Sequence, residues 1–128
     1  MARIVIRTHG PMSYFPLKPI VEEYIVKTGL REGVVTVSVE GATPGLIIAS
    51  SRELARVDEA LKKFIPVTGW RHGNAYAHLR SIVMSTTQTI PFVNGKLLLP
   101  EDYQLYLVET RPVYNHDRVV LVYIRGVG

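Results

Sequence analysis

The sequence contains no cysteine. Disulfide bonds, a thiolate nucleophile and a cysteine-ligated zinc site are therefore excluded, and the composition is consistent with the cytoplasm without requiring it. The chain also lacks an apolar run near the roughly 20 residues that a membrane-spanning helix needs. Arg3, Arg7 and His9 interrupt the apolar residues at the start, so the continuous apolar segment of a signal peptide is missing. We expect a soluble, cytoplasmic protein without membrane contact.

A large surplus of positive charge is absent as well. Lysine and arginine number 15 against 11 aspartates and glutamates, which gives a net charge of +4 and a pI of about 9.5. Nucleic-acid binders cluster their basic residues on one face, whereas only Lys62 and Lys63 form a dense group here. We therefore rank nucleic acid below a phosphorylated small molecule as the expected partner.

Length and composition indicate one globular domain that spans residues 1–128. Hydrophobic residues make up 47% and charged residues 20% of the chain, which is typical of a folded protein. A chain of this length buries roughly two-thirds of its unfolded surface, so it can form a full core without crosslinks. No repeat, linker or low-complexity segment divides it.

Hydrophobic spacing predicts helices at residues 18–28, 54–64 and 75–84, with Ser50 or Ser51 capping the second. Asn94-Gly95 is a strong signal for a two-residue hairpin turn. Because runs of strands follow the helices, the order indicates an α+β fold: a largely antiparallel β-sheet or sandwich with two to three helices. Strands are predicted at residues 3–8, 34–40, 46–49, 87–93, 96–99, 103–110 and 119–125.

The segment from Trp70 to Arg80 carries the strongest indication of a functional site. It holds two of the four histidines, His72 and His78, in a stretch with few large apolar residues. Gly73 allows a tight turn, and Asn74 is a good N-cap for the helix that follows. Both imidazoles could then reach one pocket. The alternative is ordinary helix capping beside a partly buried histidine, and the spacing alone leaves both open.

Residues 73–80 read Gly-Asn-Ala-Tyr-Ala-His-Leu-Arg, which resembles the signature of the YjbQ-like family. Residues 89–97, with the Asn-Gly hairpin, also resemble the family, as do Tyr103-Gln104 and Glu109; the similarity covers roughly residues 33 to 125. The resemblance implies a compact α+β fold and a homotrimer. Some members are described as secondary thiamine phosphate synthases, which join a pyrimidine diphosphate to a thiazole phosphate. It also implies a site that uses histidines with a divalent metal or a phosphate.

The chain departs from the family pattern at several site positions. Residues 41–44 read Gly-Ala-Thr-Pro where the family usually has a histidine followed by threonine, so that histidine is absent. His72 stands where the family has glutamate, and the preceding loop, residues 65–71, is shorter than usual. Ser85-Thr86-Thr87 replaces a Gly-Pro-Ser turn. His78, Asn74 and Gln104 carry over, which makes the chain a divergent member.

The chemistry expected of His78 is proton transfer or metal binding. A metal site usually takes three or four protein ligands, and only His72 lies close to His78 in sequence, because His9 and His116 could join only through folding or a subunit contact. An imidazole acting alone as general acid and base needs fewer partners. We therefore assign His78 as the catalytic residue, with metal ligation as its second possible role.

Phosphate binding is expected at the start of the third helix. The free N–H groups after Asn74 favour an anion, Arg71 and Arg80 flank the helix, and Thr86 and Thr87 could add hydroxyl donors. For Arg80 we favour a solvated helix face. By the resemblance, His72 and Gln104 would orient the substrate.

Three functions follow as hypotheses. The first is a phosphate-handling enzyme of the secondary thiamine phosphate synthase type. The second is a family member that has lost catalysis and serves as an oligomeric binding or structural protein, for which the missing histidine at Gly41 argues. The third is a nucleic-acid binder, which rests on the net charge of +4 alone and predicts strongly salt-dependent binding.

Overall fold

A computed structural model describes residues 1–67, 69, 73 and 75–128. The three helices that the hydrophobic spacing predicts are confirmed within these residues. Pro19 occupies the first turn of the first helix, where its missing N–H costs nothing, and Gly29 ends that helix in the left-handed conformation with φ +73°. The helices are α1 (Lys18–Thr28), α2 (Leu54–Phe64) and α3 (Ala75–Met84).

The strands form two antiparallel sheets. The five-stranded sheet A has the order β1-β8-β3-β5-β6, and the three-stranded sheet B has the order β2-β7-β4. The α+β class with a largely antiparallel sandwich is therefore confirmed. The strands are β1 (Ala2–Thr8), β2 (Ser13–Pro16), β3 (Glu32–Val39), β4 (Gly45–Ser50), β5 (Thr87–Val93), β6 (Lys96–Leu97), β7 (Tyr103–Glu109) and β8 (His116–Val127).

The main core lies between the two sheets. Side chains on a strand alternate between its faces, and the inward residues of sheet A, such as Val37 and Val122, pack in one cluster with Leu105 and Leu107 of sheet B. Helix α1 completes this cluster, to which it contributes Leu17, Val21 and Ile25.

The opposite face of sheet B is covered by α2 and α3. Val108, whose neighbour Leu107 faces sheet A, packs instead with Leu61 of α2 and Met84 of α3. Strand β7 is thus buried on both faces, since it is the central strand of the middle layer. The C-terminal end of α3 is held against this layered core through Met84.

Three local features differ from the sequence prediction. Strand β2 lies outside all of the predicted strand ranges. Strand β8 spans His116–Val127 and is therefore longer at both ends than the predicted strand at residues 119–125. Neither Ser50 nor Ser51 is the residue directly before α2, yet Ser50 Oγ accepts a hydrogen bond from Glu53 N at 3.1 Å and donates to Glu53 Oε1 at 2.9 Å. This reciprocal arrangement still stabilises the turn that leads into the helix.

None of the helices in the described ranges combines the length and the apolar character that crossing a lipid bilayer requires.

Candidate functional site

A pocket of about 420 Å³ opens between helix α3 and the loops at residues 41–44 and 85–86. Its volume falls in the range that holds small-molecule ligands. Three residues of α3, at spacings of three and four, present one helix face to it, and the loop residues form the remaining walls. The lining residues are Ala42, His78, Ser81, Ile82, Ser85 and Thr86.

His78 lies in the first turns of α3 with its side chain exposed. Among the described residues, nothing forms a hydrogen bond with its ring, which lines the pocket. Ile82, one turn further along the helix, is 77% exposed and gives the pocket an apolar rim. The pocket therefore combines an exposed imidazole with an exposed apolar side chain.

Ser81 and Ser85, the two serines among the lining residues, hold the walls of the pocket in place. Ser81 Oγ donates to the carbonyl oxygen of Pro44 at 2.7 Å, which fixes the 41–44 loop against α3. Ser85, at φ +87°, donates from Oγ to the carbonyl oxygen of Thr87 at 2.9 Å. The Thr86 carbonyl accepts from Val39 N at 2.9 Å, which fixes its backbone. The Thr86 hydroxyl has no protein partner in the part of the chain described, so it can donate to a ligand.

Thr87 and Gln104 lie elsewhere than expected. The Thr87 hydroxyl is 3.0 Å from Ser38 Oγ on the neighbouring strand of sheet A, and Thr87 is not a lining residue. Gln104 Oε1 accepts from Lys18 N at 2.8 Å, which satisfies a free N–H at the start of α1. The structure therefore brings neither residue to the pocket of His78. Arg71, His72 and Asn74 lie outside the described residues.

Arg80 is buried, and the expectation of a solvated helix face is wrong. Its side chain is only 1% exposed, and Nε and Nη2 donate to the carbonyl oxygen of Ile65 at 3.0 and 2.6 Å. The guanidinium also lies 5.1 Å from the ring centre of Tyr76, a cation–π distance. Burial lowers the pKa of Arg80, although the group remains charged. Arg80 thus secures the chain after α2 rather than facing a phosphate.

Sequence reasoning missed a buried ion pair behind the 41–44 loop. Arg118 donates from Nε to Glu109 Oε1 at 2.9 Å and from Nη2 to Glu109 Oε2 at 2.7 Å. Arg118 Nη2 also donates to Thr43 Oγ1 at 3.0 Å, and Thr8 Oγ1 donates to Glu109 Oε1 at 2.6 Å. Burial on its own raises the pKa of the Glu109 carboxyl, but the hydrogen bonds from Arg118 and Thr8 outweigh it, so the net pKa lies below its ordinary value.

The alternation of inward and outward side chains along β7 and β8 gave an indication of this pair. Glu109 is in phase with Leu105 and Leu107 on β7, and Arg118 is in phase with Val120 and Val122 on β8. These apolar residues face the core. One acid and one base at core-facing positions of two strands indicate a buried ion pair, since an unpaired buried charge is costly.

A divalent metal is not supported by the residues that the structure describes. No group of three histidine, aspartate or glutamate side chains lies close enough together to hold an ion in that part of the chain. His78 alone is too few ligands.

The fold and pocket define a protein with two antiparallel sheets, a helical layer and an open histidine-containing pocket. The sequence profile of the UPF0047 protein YjbQ-like family matches residues 2–127, so the chain belongs to this family. The match extends the similarity to nearly the whole chain, well beyond the region from residue 33 to 125.

Individual relatives are distant but cover most of the chain. The UPF0047 protein YugU of Bacillus subtilis is 25% identical over 115 residues, 84% of either chain. A UPF0047 protein of Methanothermobacter thermautotrophicus is 25% identical over 111 residues, 81% of this chain and 78% of its own.

Solved structures from the same family share the fold. A YjbQ/UPF0047 protein of Clostridium acetobutylicum superposes with a TM-score of 0.89 at 24% identity, over 98% of this chain and all of the other. A YbjQ-like protein of unknown function from Sulfolobus solfataricus gives a TM-score of 0.88 at 22% identity, over 98% and 95% of the two chains.

Proposed function

We propose that the pocket at His78 binds a phosphorylated small molecule and catalyses group transfer of the secondary thiamine phosphate synthase type. The observation that carries the proposal is the His78 ring, exposed on the wall of a pocket of about 420 Å³ and free of partners among the described residues. A structural histidine would instead be held by neighbouring groups. The cytoplasmic location expected from the sequence is part of this proposal.

One proton transfer assists this chemistry by stabilising the leaving group. A ring nitrogen of the thiazole phosphate attacks the methylene carbon of the pyrimidine diphosphate, a C–N bond forms, and the C–O bond to the diphosphate breaks. The leaving diphosphate gains negative charge and is stabilised by a proton from a protonated His78, since imidazole exchanges protons near neutral pH. Ile82 offers an apolar contact for one heterocycle, and the Thr86 hydroxyl offers a donor to a phosphate.

The test is thiamine phosphate formation from the two phosphorylated precursors, with and without added divalent metals. The native protein is compared with His78→Ala and with His9→Ala, a matched loss of another exposed histidine. We expect a fall of roughly 100-fold in kcat for His78→Ala, the lower range of general acid–base catalysis, and little change for His9→Ala. Turnover that survives His78→Ala would contradict the assignment.

A second candidate function is ligand binding without turnover. It is favoured by Gly41, which stands where the family usually has a histidine, together with the lack of a metal-binding cluster in the described ranges. It predicts saturable binding of a phosphorylated heterocycle without product. Efficient turnover at micromolar substrate would exclude it.

We also infer a homotrimer from the family resemblance. Sedimentation equilibrium of the native chain tests it, with a mass of three times 14.4 kDa as the expected result. A monomer at micromolar concentration would contradict it.

A further inference from the structure

The guanidinium of Arg118 is held rigidly behind the 41–44 loop, whose residue Ala42 lines the His78 pocket. Its side chain is 8% exposed, and three hydrogen bonds from Nε and Nη2 to Glu109 and Thr43 fix its orientation. A guanidinium with two of its three nitrogens held in this way has little freedom left to rotate. The position of its third nitrogen is therefore determined by the fold.

The third nitrogen, Nη1, has no protein partner in the part of the chain that the structure describes. No buried side-chain nitrogen or oxygen in that part lacks a hydrogen bond, so Nη1 must reach the surface. It does so beneath Gly41, where a Cβ atom would lie only 3.1 Å from Nη1. Gly41 also has φ +114°, which side chains rarely adopt. Glycine thus leaves open an approach that a larger residue would narrow.

The loop above Arg118 is the same loop that forms one wall of the His78 pocket. Ala42 lines the pocket directly after Gly41. Thr43 contacts Arg118 through Oγ1, and its carbonyl oxygen accepts from Thr110 Oγ1 at 2.5 Å. Because Pro44 is bound to Ser81 of α3 by a hydrogen bond, the loop is fixed at both sides. The loop therefore fixes the position of Nη1 relative to the pocket.

We propose that Arg118 Nη1 binds the phosphate group of the ligand that occupies the His78 pocket. The inference rests on the proposed function and adds the residue that anchors the anion. A guanidinium N–H donating to a phosphate oxygen forms a charge-assisted hydrogen bond, which is stronger than a neutral one. Glu109 holds the donor in place, so little conformational freedom is lost when the ligand binds.

The test follows the arginine Nε–H signals of the native protein by NMR during titration with inorganic phosphate. Arg118 and Arg80 both have a buried, hydrogen-bonded Nε, so Arg80 serves as the internal control. The Arg118 signal is assigned from its loss in Arg118→Lys. We expect a saturable shift of the Arg118 signal, little movement of Arg80, and no comparable shift with chloride.

A second variant avoids dependence on a substitution that breaks the buried ion pair. Gly41→Ala places a methyl group beside Nη1, whereas Gly29→Ala imposes a positive-φ alanine at a site with nothing within 4 Å of its Cβ. We expect the phosphate dissociation constant to rise about tenfold in Gly41→Ala, the loss of one charge-assisted hydrogen bond, and less than about twofold in Gly29→Ala.

The outcomes separate this inference from the proposed function. A phosphate-dependent shift of the His78 ring signals without a shift of Arg118, or unchanged affinity in Gly41→Ala, overturns the role of Arg118 alone. A shift of Arg118 in a protein whose turnover survives His78→Ala overturns the proposed function alone. If phosphate moves neither signal, the role of Arg118 is overturned, and the turnover of His78→Ala decides the proposed function separately.

Discussion

The carboxylate of Glu109 and the guanidinium of Arg118 meet through two parallel hydrogen bonds of 2.9 and 2.7 Å. Glu109 ends β7 of sheet B, and Arg118 lies near the start of β8 of sheet A. The pair therefore joins the two sheets by a polar contact at the edge of an apolar core. Its bidentate geometry fixes the orientation of both groups.

The Glu109 carboxylate should make stability depend on pH. Because its pKa in the folded protein lies below the ordinary value, its contribution is complete above the unfolded pKa of about 4.3 and is lost as the pH falls through the folded pKa. We expect Glu109→Gln to lower the free energy of unfolding at pH 7 by about 3 kcal/mol and to flatten the fall in stability below about pH 4.3. Urea denaturation across pH 2 to 8 measures both.

An exposed carboxylate provides the control for that experiment. Glu101 lies on the surface, and Glu101→Gln should change the free energy of unfolding by less than about 0.5 kcal/mol. Equal effects of the two substitutions would show that the buried ion pair adds nothing specific.

Arg80 should be intolerant even of lysine. Nε and Nη2 both donate to the Ile65 carbonyl, and a lysine ammonium cannot reproduce this two-nitrogen contact or the guanidinium stacking near Tyr76. We expect Arg80→Lys to lower the free energy of unfolding by about 2 kcal/mol, measured by urea denaturation. Arg56→Lys on the exposed side of α2 should have almost no effect, and a neutral Arg80→Lys would refute the structural role.

Gln104 should matter for the stability of α1 rather than for ligand binding. Its Oε1 accepts from Lys18 N in the first turn, so Gln104→Ala is expected to lower the free energy of unfolding by about 1 kcal/mol. Gln104→Glu should retain most of the native free energy of unfolding, because a carboxylate is favourable at a helix N-terminus. Thermal unfolding checks the stability, and phosphate titration should give the native dissociation constant in both variants.

His78 should be dispensable for folding. The side chain is exposed, and alanine has the higher helix propensity, so His78→Ala is expected to leave the free energy of unfolding unchanged or raise it by up to about 0.5 kcal/mol. Urea denaturation provides the measurement. A loss above about 1 kcal/mol would reveal a structural contact and would weaken the argument from an unpartnered ring.

The helices were predictable because their apolar residues repeat at a helical spacing, and these residues pack into the core. Strand β2 was not predictable, because its four residues are all at least partly exposed and buried and exposed side chains do not alternate along it. Arg80 was misplaced because local sequence does not reveal that the chain after α2 returns to cover that face of α3. The motif predicted that His78 reaches a pocket, and the structure places it in the lining of one. The pairing of Arg118 with Glu109 could not be assigned without knowing which strand meets β7 across the two sheets.

The position of β8 between β1 and β3 has a consequence for biosynthesis. Ala2 of β1 pairs with Val122, and Val35 of β3 pairs with Ile124, so both neighbours are made long before the strand that joins them. Until β8 leaves the ribosome, the nascent chain carries open strand edges that can pair with other chains. Such distant pairing also slows folding. Aggregation during translation is therefore the hazard built into this topology.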